Sequence, residues 1–184
     1  HDIVGGDFFA IRQLNADQYG FVVADVMGHG IAAALHTMHL SSLWGRSCHL
    51  LISPARFAET VNNELEKVVK DESFATAICG VIDANNRSLR FAAAGGPPVV
   101  VFRAGGTVDQ LESSGFPFGM IEDSEYEEAE ASFAPGDCLL LLSDGAFEIH
   151  NAQDELLGVD GLVTILGNLG YPESGIRMKA VEEE

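Results

Sequence analysis

The 184-residue sequence has no apolar run long enough to cross a membrane. A spanning helix needs roughly 18 or more consecutive apolar residues, and no segment of the chain reaches that length. The N-terminus also shows no basic region followed by a hydrophobic stretch, so no signal peptide is visible. These absences predict a cytoplasmic protein that does not bind membranes.

Positive charge is scarce in this chain. It has 10 Lys plus Arg against 28 Asp plus Glu, which gives a formal net charge of −18. Such a surface repels nucleic acid and anionic membranes, so we expect neither as a partner. It also repels phosphate, unless a bound divalent cation reverses the local field. A phosphate-handling function is therefore compatible with this composition only if metal is present.

Cysteine is scarce as well, and several catalytic motifs are absent. Cys48, Cys79 and Cys138 are far apart and form no Cys-x-x-Cys pair, which predicts buried, reduced thiols. The six histidines show no zinc-site spacing. A Gly-x-Ser-x-Gly elbow and a Walker loop are also absent, which argues against serine hydrolases and P-loop enzymes.

The residues that are present predict one α+β domain over residues 1–184. The hydrophobic pattern indicates strands at 19–24, 75–83, 88–94, 99–103 and 133–143, and helices at 31–49, 54–70, 159–169 and 172–184. In the first helix, Ala32, Leu35, His39 and Leu43 fall at helical spacing and are expected to share the buried face. Hairpin-like strand pairs outnumber strand–helix–strand units, which favours antiparallel sheets flanked by helices.

Three aspartates stand beside glycines at the ends of apolar runs. Asp25 follows the apolar run 21–24 and precedes the loop Gly28-His29-Gly30. Asp7 follows Gly5-Gly6, and Asp144 precedes Gly145 after the apolar run 139–142. Carboxylates that emerge together at sheet ends repel one another unless a cation lies between them. Since the ligands on offer are oxygens, Mg²⁺ or Mn²⁺ is the expected ion.

Each of these features also has a structural explanation. Asp144-Gly145 is a common hairpin turn, Asp25 could cap a helix, and Asp7 could be a turn residue. Between residues 122 and 130, six of nine residues are acidic, which indicates either a solvated loop or a docking surface for a basic partner. His29 lies within the glycine loop, where it could orient the loop or a water molecule.

The ordered motifs resemble the metal-dependent PP2C-type protein phosphatases, in the bacterial SpoIIE/RsbU-like branch. The resemblance rests on Gly5-Gly6-Asp7-Phe8-Phe9, on 24–30 and on Ser143-Asp144-Gly145. Further motifs follow in the family's order at 74–76, 94–98, 116–119, 135–137 and 155–158. The resemblance covers almost the whole chain.

The resemblance implies a sandwich of two antiparallel sheets flanked by helices, with two Mn²⁺ or Mg²⁺ ions. It implies hydrolysis of phosphoserine or phosphothreonine by metal-activated water, without a covalent phosphoenzyme. By position, Asp25 would bridge the metals, the Val26 carbonyl would contact one of them, and Asp7 and Asp144 would complete the visible shell. The substrate would be a phosphoprotein such as an anti-sigma-factor antagonist, and a receiver or sensory domain would stand upstream in a longer signalling protein.

The chain departs from the family pattern at several positions. Ala10 stands where the family usually has an acid, and Gly96 stands where it has a histidine. The Asp-Asp pair that supplies the family's last metal ligand is not found before Glu184, so the domain is expected to be incomplete at both ends and its second metal site is doubtful. These departures leave a second hypothesis open, in which a catalytically weak or inactive pseudophosphatase serves as a protein-binding adaptor.

Overall fold

The computed structural model describes residues 5–68, 73–151 and 153–172. Within them the chain forms eight strands, β1 to β8, and three α-helices, α1 to α3. The strands are Asp7–Gln13, Gln18–Val26, Ala75–Asp83, Ser88–Ala94, Val99–Phe102, Val108–Leu111, Ala129–Ser132 and Cys138–Leu140. The helices are Ile31–Ser47, Pro54–Glu66 and Gly158–Asn168, and short 3₁₀ segments lie at Cys48–Ile52 and Asp144–Ala146.

The strands form two antiparallel sheets, as the sequence predicted. The larger sheet has the order β1-β2-β3-β4-β7, and the smaller has the order β6-β5-β8. Antiparallel pairing is recorded for every neighbouring pair in both sheets. The predicted α+β class and its two-sheet architecture are therefore confirmed.

The core lies in three interfaces between four layers. On one face of the larger sheet, Val22, Ala24 and Val26 pack against α1 and α2. On its other face, Phe21 and the buried side chains of the neighbouring strands β3 and β4 pack against β5 and β8 of the smaller sheet. The outer face of the smaller sheet packs against α3. Because side chains alternate along a strand, Asp25 lies on the Phe21 side of β2, which faces the smaller sheet.

Most predicted elements match the observed ones, but three expectations need correction. The strand expected at 133–143 is confined to Cys138–Leu140, because it pairs with only three residues of the short strand β5. Strands β1, β6 and β7 were not predicted from the pattern; β1 is mostly exposed, and β6 and β7 are each four residues long and only partly buried. The helix expected at 172–184 lies outside the described residues apart from Pro172.

Helix α1 buries a face that shares only Leu43 with the expected stripe. Its buried residues are Ala33, Leu40, Leu43, Trp44 and Ser47, whereas Ala32 and Leu35 are exposed. The first turns of α1 are apolar on all sides, so spacing alone could not decide which stripe faces the sheet. Within the described part of the chain, no helix combines the length and apolarity that crossing a bilayer requires.

Two long-range contacts fasten α2 to the loops beside it. The Glu128 carboxylate accepts hydrogen bonds from the Ser53 hydroxyl at 2.6 Å and the Ala55 amide at 3.2 Å, so it acts as a distant cap for the helix. The fully buried Asn62 side chain accepts a bond from the Gly119 amide and donates one to the Ile121 carbonyl, both at 2.9 Å. Asn62 thereby fixes the loop that follows Phe118.

Candidate metal centre

The first two aspartates are brought together by strand pairing. Asp7 begins β1 and Asp25 stands near the end of β2, and the antiparallel register places these two residues directly opposite each other. Directly opposed residues in such a pair have Cβ atoms roughly 5 Å apart, on the same face of the sheet. On the other side of β2, Asp25 lies opposite Thr76.

The third aspartate reaches the same place from the other sheet. Asp144 opens a 3₁₀ turn four residues after β8 ends, and Ser143 before it shares a small cavity wall with Asp25. The Asp25 carboxyl interacts electrostatically with both Asp144 and Asp7. Three residues that are remote in sequence therefore have neighbouring carboxyl groups at one end of the sheet sandwich.

The electrostatics of this cluster are unfavourable for negative charge. Partial burial, followed by the negative charges of Asp144 and Asp7, raises the pKa of Asp25 from 3.8 to about 6. Asp25 is half-buried, whereas Asp7 and Asp144 are exposed. A cation beside Asp25 would remove the cause of the raised pKa, so this cluster favours binding of positive charge.

The structural explanations for the three aspartates do not fit their surroundings. Helix α1 begins at Ile31 with Gly30 as its N-cap and no side-chain cap, so Asp25 is not a helix cap. Asp7 is the first residue of a strand and not a turn residue. Asp144-Gly145 lies in a 3₁₀ segment and does not join two hairpin strands.

The glycines around the cluster differ in how much the structure needs them. A Cβ atom on Gly6 would collide with the Val26 carbonyl oxygen and lie 3.0 Å from the Asp25 carboxylate, so only glycine fits there. Gly28 and Gly30 have φ angles of 96° and 80°, which favour glycine. By contrast, neither Gly5 nor Gly145 has a positive φ or a crowded Cβ position.

Two further residues of the site were predicted differently or not at all. His29 is exposed and takes part in no hydrogen bond or ion pair within the described ranges, so no orienting role is visible for it. The hydroxyl of Thr37 on α1 is shared between the Gly6 carbonyl at 3.0 Å and the Ala33 carbonyl at 2.9 Å, and so it links α1 to the segment that carries Asp7. No sequence signal marked Thr37, because its role depends on α1 packing beside β1.

Asp7 and Asp144 are exposed, and the cavity beside Asp25 is small. The cavity beside Asp25 measures about 10 Å³, which is at most the space of one water molecule, and Thr76, Pro97 and Ser143 are among the residues lining it. Enclosed small-molecule pockets are typically about 300 Å³ or larger. An open cluster of this kind suits a phosphoryl group presented on a protein surface better than a small molecule that must be enclosed.

The donor set fits a hard divalent cation, although it is not a closed ligand shell. Three carboxylates and the Val26 carbonyl, which lies against Gly6, offer only oxygen ligands. Within the described ranges, no group of three or more His, Cys, Asp or Glu side chains has the spacing of a ready metal site. The two observations are compatible, because carboxylates can interact in pairs at spacings too wide for one ion to contact all three.

Comparison with known families decides the relationship. The SpoIIE family, described as Stage II sporulation protein E, matches residues 15–177. The chain belongs to the SpoIIE family. Phosphoserine phosphatase RsbP of Bacillus subtilis is 31% identical over 149 residues, and the match covers 79% of this chain and 37% of RsbP. This SpoIIE-family chain therefore spans well under half of the length of that relative.

Solved structures give the fold of the SpoIIE-family domain independently. The SiaA-PP2C domain of Pseudomonas aeruginosa has a TM-score of 0.80 at 22% identity, covering 98% of this chain and 75% of that one. RsbX in complex with magnesium has a TM-score of 0.58 at 17% identity, covering 93% and 82%. At these identities the likeness shows the fold, which is that of the PP2C phosphatases.

The family departures noted in the sequence now have structural surroundings. Ala10 pairs with Val22 in the sheet and packs against the core beneath α1 and α2. A Cβ atom on Gly96 would lie 2.8 Å from the Ala77 carbonyl oxygen and 2.9 Å from an Ile78 carbon. A histidine at position 96 would therefore require the backbone to move away from β3.

Proposed function

We propose that this SpoIIE-family domain is a metal-dependent protein serine/threonine phosphatase. The observation that carries the proposal is the meeting of Asp7, Asp25 and Asp144 at one end of the sandwich, where negative charge is destabilised. The name of RsbP, a phosphoserine phosphatase, supports the reaction class. The magnesium complex of RsbX supports the choice of Mg²⁺ or Mn²⁺ as cofactor.

In this proposal the residues of the cluster divide the work. The Asp25 carboxylate, which interacts with both Asp7 and Asp144, would be the shared ligand, while the Val26 carbonyl would add an uncharged oxygen. Gly6 allows β1 to approach closely enough for these oxygens to face one site. When bound, a divalent cation supplies positive charge that lowers the pKa of water and neutralises phosphate oxygens.

The proposed substrate is a phosphoserine or phosphothreonine of another protein, such as an anti-sigma-factor antagonist in a signalling pathway. The net charge of −18 opposes the approach of free phosphate esters, so attraction must come from the cation or from complementary charge on the substrate. The same proposal includes a cytoplasmic location and a longer protein that carries a receiver or sensory domain. The three free cysteines suit a reducing compartment.

The direct test is hydrolysis of p-nitrophenyl phosphate and of a phosphoserine peptide with Mn²⁺. Asp25→Asn should lower the rate by more than the roughly 10- to 100-fold that outer-shell changes cost. Asp17→Asn is the matched control, because Asp17 is exposed, remote from the cluster and carries the same charge. Activity that survives both EDTA and Asp25→Asn would contradict the metal mechanism.

A binding module without turnover is the second candidate. Ala10 and the crowded backbone at Gly96 favour it, because both positions lack the side chains typical of the family. It predicts that phosphopeptide binding survives in an Asp25→Asn/Asp144→Asn double variant and that the unmodified protein shows no hydrolysis with Mn²⁺. Hydrolysis by the unmodified protein would exclude it.

A further inference from the structure

A groove with two acidic side chains lies between two loops beside the end of β4, away from the aspartate cluster. Its volume is about 490 Å³, and its walls are two chain segments that run beside the end of β4. The residues lining it are Ser114, Gly115, Phe116, Glu125, Tyr126 and Glu127. We call this feature the 114–127 groove.

The walls of the 114–127 groove are fixed to each other. The Tyr126 hydroxyl donates a hydrogen bond to the Phe116 carbonyl at 3.0 Å, and the Ser114 hydroxyl donates one to the Glu127 carboxylate at 3.0 Å. Gly115 packs so closely that a Cβ atom there would meet the Tyr126 ring. These cross-wall contacts make the groove a feature of the folded domain.

The chemistry of the groove selects a cation. Glu125 and Glu127 are exposed on either side of the buried Tyr126, and both line the groove. Within the described ranges, neither forms an ion pair, since the five pairs found there use other acids. The Phe116 ring is 55% exposed, and an aromatic face beside carboxylates attracts guanidinium and ammonium groups.

The position of the groove relates it to the aspartate cluster. Ala24, next to Asp25, pairs with Ala77; Ala77 is bridged to Gly95, and the Gly95 amide donates to the Gly115 carbonyl. Three interstrand spacings of about 4.8 Å place Gly115 roughly 14 Å from the Asp25 strand. An extended peptide rises about 3.3 Å per residue, so this distance corresponds to roughly four residues.

We propose that the 114–127 groove docks a basic segment of the phosphoprotein substrate, with an Arg or Lys side chain over Phe116 and between Glu125 and Glu127. The proposal rests on the proposed phosphatase function and adds a substrate preference to it. Charge complementarity selects this occupant, because a strongly acidic protein gains most from a basic partner at an unpaired acidic site. The basic side chain would stand about four residues from the phosphoserine.

The test uses phosphoserine peptides that differ in one residue, arginine or glutamine, placed four residues before or after the phosphoserine. Their kcat/KM with Mn²⁺ and their binding, by fluorescence anisotropy, are measured for the unmodified protein and for Glu125→Gln/Glu127→Gln. The matched control is Glu122→Gln/Glu130→Gln, which removes the same charge from the same acidic segment outside the groove. Thermal unfolding checks that all variants fold.

The unmodified protein should prefer one arginine peptide by about tenfold, as two partly exposed ion pairs would give. The preference should vanish in Glu125→Gln/Glu127→Gln, persist in the control, and be accompanied by unchanged hydrolysis of p-nitrophenyl phosphate. A missing preference, or one equally lost in the control, would overturn the proposal. A third outcome is that p-nitrophenyl phosphate is hydrolysed and arginine improves peptide binding but not kcat/KM. That outcome would assign the groove to a partner other than the substrate and would also overturn the proposal.

Failure of the proposed function has a different signature. If neither p-nitrophenyl phosphate nor any peptide were hydrolysed, the phosphatase assignment would fail. Fluorescence anisotropy would then still decide the groove's selectivity. Arginine-dependent peptide binding that disappears in Glu125→Gln/Glu127→Gln supports a docking site for basic segments, and the absence of such binding overturns that site.

Discussion

Replacing Asp25 by asparagine should stabilise the protein when metal is removed, although the same change should abolish metal binding. In the folded protein, burial and the charges of Asp144 and Asp7 raise the pKa of Asp25 from 3.8 to about 6. The folded state therefore holds the Asp25 proton more tightly than the unfolded state does. Asparagine keeps the shape of the protonated side chain and cannot ionise, so it removes the penalty.

The pKa shift sets the size and pH range of this effect. A rise from 3.8 to about 6 corresponds to at most about 3 kcal/mol. Because Asp25 is only half-buried and its two neighbours are exposed, solvent screening reduces the expected gain to about 1 kcal/mol. Stability from protonated Asp25 is fully present below pH 3.8 and is lost as the pH rises through about 6, so the gain from asparagine should be largest above pH 6.

Thermal unfolding in EDTA measures the effect at pH 7.5 and at pH 4. For a domain of this size, about 1 kcal/mol raises the Tm by roughly 2–4 °C. Asp17→Asn is the control for the general reduction in net charge, because Asp17 is exposed and lies outside the cluster. A lower Tm for Asp25→Asn at pH 7.5, a rise no larger than that of Asp17→Asn, or a gain that persists unchanged at pH 4 would refute the reasoning.

Three further predictions concern the framework of the site. Asn62→Ala should lower the free energy of unfolding by about 2–3 kcal/mol in urea, because it removes the hydrogen bonds of a fully buried side chain to the Gly119 amide and the Ile121 carbonyl, whereas Asn63→Ala at the neighbouring, only half-buried position should lower it less. Gly6→Ala should destabilise the protein by about 1–3 kcal/mol in the same assay and weaken Mn²⁺ binding, whereas Gly5→Ala, with open space around its Cβ, should leave Mn²⁺ affinity unchanged. Glu128→Ala should cost about 1 kcal/mol in urea unfolding by removing the distant cap of α2, and an unchanged midpoint would show that the cap is not needed.

The elements that the sequence predicted well are those whose local signals agree. Strands β3 and β4 have the predicted bounds, because two apolar runs flank a turn at 84–87 that is closed by Asp83 accepting the Asn86 amide. Helix α2 begins at Pro54, as expected, and buries its apolar stripe. Strands β1, β6 and β7 escaped prediction: β1 is mostly exposed, β6 is a short edge strand in a hairpin with β5, and β7 is a short edge strand defined by its pairing with distant β4.

Some features of the candidate site could likewise be found from the sequence, and others could not. The glycine-flanked aspartates could be found from sequence, because a carboxylate at the end of an apolar run stands out locally. Two contacts could not be found from sequence: the close approach of Gly6 to Val26 and the hydrogen bond of the Thr37 hydroxyl. Each exists only once α1 and β1 pack beside β2. For Gly145, the local pattern predicted a loop-shaping role that neither its φ angle nor its contacts require.

Isothermal titration of Mn²⁺ into the unmodified protein, Asp25→Asn and Asp144→Asn is the most direct test of the account. We expect aspartates from three separate segments to form one metal centre, in which Asp25 is the ligand shared by its two neighbours. We expect Mn²⁺ to bind the unmodified protein and to bind both variants at least about tenfold more weakly, since each variant lacks one carboxylate ligand. Asp144→Asn binding as tightly as the unmodified protein would contradict the claim.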